Sequence, residues 1–184
     1  MRLAGGLGYL NVELEPNTNA VSKVALKGFG IGFEFDLGWA IVPGVIVGGA
    51  YGGTLAPDAR GEHEQNPRTN DTLAFTLGPF IDFFPDPRDG LEIGGSFGLG
   101  RTAYNFEDPQ TLVVRDESIL GFGGSLWAGY SGWVSANWSF GVLVRGGIAW
   151  LEGRQTVETS TAIIDFDQSG KAWTLGLLIN PVFN

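Results

Sequence analysis

The chain has 184 residues, a net charge of −9, 30 glycines and no cysteine. That length suits one domain, expected to span residues 1–184, and the absence of cysteine excludes a disulfide framework and thiol chemistry. The acidic balance leaves no basic surface for phosphates, so nucleic acid is excluded as an expected partner.

Charged residues make up only 17% of the chain, and aromatics reach 12% with six Trp. This composition suits a β-rich protein in which glycine serves turns and crowded walls. Two uncharged runs, residues 37–57 and 118–144, are long enough to cross a bilayer as helices. The first is broken by Pro43-Gly44 and the second carries six glycines, and each alternates about a central turn. Both are therefore expected to be hairpins. Met1 is followed at once by strand-like sequence, without a charged start, apolar core and cleavage site. An exported chain needs such a signal, so this one is expected to be a mature or truncated form.

In chain order, a first strand is expected over residues 2–14. Its phase is ambiguous. Leu3, Leu7 and Tyr9 put odd positions outward, whereas Leu10, Val12 and Leu14 favour even ones. A bulge near Gly5-Gly6 or Tyr9 could switch the faces. A polar loop follows over residues 15–24. The second strand contains residues 29–41, the clearest signal in the chain. Phe29, Ile31, Phe33, Phe35, Leu37, Trp39 and Ile41 share one face, and the other holds three glycines, Ala40, Glu34 and Asp36. Only a strand places alternate residues on opposite faces. The polar face is the small one, which suits a cramped interior. The strand therefore reads as inside out, with lipid outside and a narrow polar lumen within.

The third strand is expected over 45–55, after a tight Val42-Pro43-Gly44 turn, and the hydrophilic segment 56–71 reads as a long loop. The fourth covers 72–84, with a bulge or local break at Pro79, which has no N–H for the ladder. After a turn at 85–90, the fifth covers 91–104. Residues 105–116 read as a loop in which Leu112-Val113-Val114 could extend a strand. The sixth covers 118–130 and the seventh 138–151. The longest loop is expected over 152–170, and the eighth strand over 171–183. The expected fold is all-β: an eight-stranded antiparallel up-and-down transmembrane barrel with short periplasmic turns and long outer loops.

The outward aromatics sort by height. Trp39, Trp133, Trp138 and Phe183 fall by the short turns, and Tyr51, Trp150 and Trp173 fall by the long loops. They read as two aromatic girdles at the bilayer interfaces. These features resemble the small outer-membrane barrels of the OmpA/OmpX-like superfamily. The segment Leu77-Gly78-Pro79-Phe80-Ile81-Asp82-Phe83-Phe84, with Gly90-Leu91-Glu92-Ile93-Gly94-Gly95 after its turn, is similar to uncharacterised barrels of myxobacterial type. Such barrels usually end in Phe, whereas here Asn184 follows Phe183 and Pro181 interrupts the last strand. The resemblance implies anchoring in the bacterial outer membrane and insertion by the barrel-assembly machinery. Outer-membrane lipid and lipopolysaccharide are then the surrounding partners. It implies no particular activity.

The inward charges are the candidate site. Glu34 and Arg145 fall at the same height and are expected to meet across the lumen, with Asp36 nearby. Asp82 and Glu92 lie lower, on adjacent strands. An isolated buried charge is costly, so a hydrogen-bonded network is expected, filling and specifying the barrel or, alternatively, gating an ion path. His63, the sole histidine, lies on a polar loop without a partner serine, and no metal or cofactor is expected. Asp165-Phe166-Asp167 with Asp58, Glu62 and Glu64 offers oxygen ligands of the kind calcium takes, but at no known calcium spacing. The leading expectation is a non-enzymatic barrel presenting surface loops, as an anchor, adhesin or envelope-stabilising protein. The alternatives are a narrow pore, a lipid-modifying enzyme and a soluble lipocalin-like barrel.

Overall fold

The computed structural model describes residues 1–17, 23–61, 69–86, 90–107, 114–135, 137–158 and 163–183. Eight strands follow the chain: β1 (Arg2–Pro16), β2 (Val24–Val42), β3 (Val45–Gly61), β4 (Thr69–Phe83), β5 (Leu91–Glu107), β6 (Val114–Trp133), β7 (Trp138–Glu158) and β8 (Ile163–Phe183). Each pairs antiparallel with its neighbours in sequence, and β8 returns to β1 to close the barrel. Both β1 and β8 have their terminal ends where β2 meets β3 through a tight turn. This is called the turn end below, and the opposite end the loop end. Gly44 takes a φ of 82° in that turn, a conformation a side chain would oppose.

The ladder sets the dimensions. Ala4 pairs with Glu34, then the register passes through Gly52, Thr76, Gly100, Gly121, Leu151 and Gly170 and returns to β1 at Leu14. One circuit thus climbs ten residues along β1. For eight strands, that stagger tilts each strand by about 40° and gives a backbone radius of about 8 Å, which leaves room only for side chains.

The polarity is inverted, as the second strand implies. Phe29, Leu7 and Leu126 are 79%, 75% and 75% exposed on the outer wall, while Glu34 and Arg145 inside are 1% and 4% exposed. On β7 the outward Trp138 and Trp150 are twelve residues apart, which at about 3.3 Å per residue and 40° of tilt is about 30 Å of height. That matches the apolar band between two aromatic girdles. Near the loop end, Tyr9 packs against Phe29 and Trp173 with ring centroids 5.0 and 5.2 Å apart. At the turn end, Trp138 packs on Phe183 at 5.1 Å. Trp39 and Trp133 are outward and exposed at that same end. Tyr51 departs from the expected girdle. Because β3 continues to Gly61, Tyr51 stands at mid-height, packed between Phe33 and Phe75 at 5.3 and 5.1 Å.

Several sequence expectations change. β1 keeps one phase throughout, with no register shift against β2 or β8. Its even residues face inward from Arg2 to Leu14. Leu10, Val12 and Leu14 need no bulge, because the lumen is apolar at their level. They join Leu26, Tyr104, Ile119 and Leu151 in a buried cluster towards the loop end. The buried charges are therefore confined to the lower part of the lumen, and above them the leucines share the interior with uncharged Thr72, Thr102 and Gln168.

Strands also run past the expected limits. β3 ends at Gly61 rather than 55, β7 continues to Glu158, and β8 starts at Ile163. Above the girdle the described outward residues Glu13, Glu152, Arg154, Ser169 and Lys171 are polar, so the apolar alternation fades while the ladder continues. Much of the expected loops at 56–71, 105–116 and 152–170 is thus strand, whereas the loop at 15–24 loses only its ends. The two prolines act alike. Pro79 pairs in register with Gly49 on one side, but pairing with β5 lapses between Leu77 and Phe80. Pro181 pairs with Phe140, but pairing with β1 lapses between Ile179 and Val182. Both lapses resume in the same register, so they are breaks without bulges, as expected for a residue lacking an N–H.

Candidate functional site in the lumen

The lower lumen is a cage of charges contributed by most of the wall. The inward phase of β2 supplies Glu34 and Asp36, and β4 and β5 supply Asp82 and Glu92. β7 supplies Arg145, and β1 supplies Arg2. All six are at most 4% exposed. Glu34 and Arg145 form an ion pair across the barrel. Arg145 also donates through its terminal nitrogen to Thr76 Oγ1 at 3.1 Å.

Arg2 is the hub that sequence reasoning missed. Its Nε donates to Asp36 Oδ2 at 2.6 Å, and its terminal nitrogens lie 3.3 Å from Asp82, 3.4 Å from Glu92 and 3.7 Å from Glu34. Its guanidinium carbon sits 4.9 Å from the centre of the Trp127 ring, a cation–π distance. Asp36 lies near that pair and itself binds Arg2, and Arg2 ties the two expected charge groups into one network. The signal was present in the even phase of β1, but the leucines above it obscured that phase.

Two further partners complete the cage. Trp127 Nε1 donates to Asp82 Oδ1 at 2.5 Å, and Asn180 Nδ2 donates to Glu92 Oε1 at 2.5 Å. Trp127 shares its odd phase on β6 with Gly121, Gly123 and Ser125, which could have marked it as inward. The wall glycines make the space. A Cβ at Gly52 would lie 2.8 Å from Glu34 Oε2 and 3.2 Å from Arg145 Nε, and one at Gly94 would collide with Asp82 and Trp127. Ala4, Ala50, Phe80, Leu143 and Leu178 pack around the charges as a small apolar collar.

Low dielectric and fixed geometry make such a network strong when satisfied and costly when broken. Chemically, it can hold the barrel in one register and present carboxylates to the turn-end opening. His63, Glu62 and Glu64 lie outside the described residues. Asp58 lies on β3 and Asp165 on β8, and Asp167 faces solvent, where its carboxylate lies 3.4 Å from Arg154. Among the described residues, no cluster of His, Cys, Asp or Glu is arranged to hold a metal ion.

A closed eight-stranded barrel with an apolar exterior and a charged, filled interior is the architecture of small bacterial outer-membrane barrels. No protein-family model and no curated protein sequence matches the chain. Solved structures of outer-membrane proteins do. The outer-membrane protein OprG of Pseudomonas aeruginosa superposes with a TM-score of 0.54 at 10% identity, over 100% of this chain and 94% of that one. The outer-membrane protein AlkL, determined in lipid bilayers, superposes with a TM-score of 0.50 at 11% identity, over 100% and 90%. The outer-membrane protease OmpT of Escherichia coli gives 0.49 at 11%, over 100% and 97%. At these identities the likeness concerns the fold alone.

Proposed function

We propose that this chain is an integral protein of the bacterial outer membrane that anchors its loop-end hairpins at the cell surface, in an adhesive or envelope-stabilising role, without catalysis or solute conduction. The observation that carries this reading is the filled lumen. Below, the Arg2 and Arg145 network occupies the bore. Above it, Leu10, Leu14, Leu26, Tyr104, Ile119 and Leu151 pack with at most 2% exposure. Ions would have to cross a closely packed, largely apolar storey that holds none of the six buried charges, which opposes an aqueous path.

The outer wall supports the membrane assignment. Its apolar band suits outer-membrane lipid, and Lys171 and Arg101 point outward near the loop-end girdle, where lipopolysaccharide phosphates would lie. Insertion would use the barrel-assembly machinery. The test is planar-bilayer recording on the refolded chain, paired with protease treatment of intact cells expressing it. The reading expects no channel events and loss of loop-end segments from outside. Reproducible ohmic conductance, or full protection of those segments, would overturn it.

A further inference from the structure

The lower cage holds more carboxylates than arginines. Glu34 is matched by Arg145, and among the described residues Arg2 is the one cation in ion-pair reach of Asp36, Asp82 and Glu92. These three carboxylates and Arg2 line a cavity of about 380 Å³ at the turn end. Asp36 is 2% exposed, yet its Oδ1 has no hydrogen-bond partner. A buried acceptor left unpaired is costly, and native structures normally supply a partner for it.

The space beside the acids is mostly apolar, with Ser131 and Ser139 at its far side. A second cavity of about 130 Å³ adjoins the first, and the two share Ile46, Phe84 and Val182 as walls. The vestibule thus has an acidic lobe and an apolar lobe. An alkylammonium matches both. Its head carries three donors and a compact positive charge, and its chain can leave water against the apolar wall. The site is not built for a metal ion, since no described cluster has metal-ligating geometry.

We propose that the turn-end vestibule binds a small organic cation bearing a primary ammonium group, with the ammonium at Asp36 and a short alkyl chain against Ile46, Phe84 and Val182. The site is independent of what the loop-end hairpins contact. It would let the barrel respond to an amine-bearing molecule on the turn-end side of the membrane.

The test is titration of the refolded full chain, in zwitterionic micelles, with n-butylammonium, n-butanol and butyrate, followed by calorimetry and by amide shifts around Asp36. Saturable binding of n-butylammonium is expected, at least tenfold tighter than either control, and weakened at least tenfold in Asp36→Asn. Glu13→Gln, a change on the outer wall, should leave it unaltered. Equal binding of n-butanol, or undiminished binding to folded Asp36→Asn, would overturn the proposal. Should Asp36→Asn fail to fold, the comparison of the three ligands on the unaltered chain decides alone.

Discussion

Glu34 and Arg145 form an ion pair across the barrel although their strands, β2 and β7, share no ladder. Sequence neighbours build the wall, but this pair joins opposite sides of it. Gly52 on β3 leaves the space in which they meet. The pair therefore constrains the cross-section of the barrel, which the ladder alone controls only through stagger.

Breaking that pair on one side should be expensive. Arg145→Met leaves Glu34 with only the more distant Arg2, 3.7 Å away. A loss of about 3–5 kcal/mol in unfolding free energy is expected, measured by denaturant titration in lipid vesicles. Adding Glu34→Gln removes the stranded charge and should restore much of the loss. Strictly additive losses in the double variant would show that the two residues do not act as a pair.

The wall glycines separate into those that shape the cage and those that do not. A Cβ at Gly94 collides with both partners of the Asp82–Trp127 hydrogen bond, whereas one at Gly49 meets nothing within 4 Å. Gly94→Ala should cost about 1–3 kcal/mol and alter the Trp127 emission. Gly49→Ala should stay within about 0.5 kcal/mol of the parent. Equal effects at the two positions would remove the steric argument for the cage.

The outer wall makes a separate demand. Leu126 is 75% exposed on β6, well inside the apolar band. Leu126→Lys should destabilise the barrel in vesicles by about 2–4 kcal/mol, the cost of a cation facing the bilayer interior. If that wall faced water, the same change would be near neutral and the protein would remain in solution without detergent.

The fold was legible because the apolar period of two is strong wherever a strand faces lipid. Residues 29–41 carry it without exception, and their two acids declared the lumen. What escaped had physical causes. Arg2 was hidden because the lumen changes character with height, so β1 carries inward leucines above an inward arginine. Trp127 was missed because tryptophan was expected at the interfaces, not as a hydrogen-bond donor inside. Tyr51 was placed too high because β3 continues above the membrane, where polar outward residues erase the apolar alternation used to find its end. The Glu34–Arg145 pairing could be reached from height alone, since both strands obey a single phase.

The inside-out arrangement is tested most directly by lipid contact at two tryptophans. Variants retaining only Trp127 or only Trp150, with the other five replaced by Phe, would be refolded into vesicles whose acyl chains carry bromine. Trp150, outward and 49% exposed, should be strongly quenched, and Trp127, inward and 2% exposed, should be quenched several-fold less. Strong quenching of Trp127 with little effect on Trp150 would contradict the account.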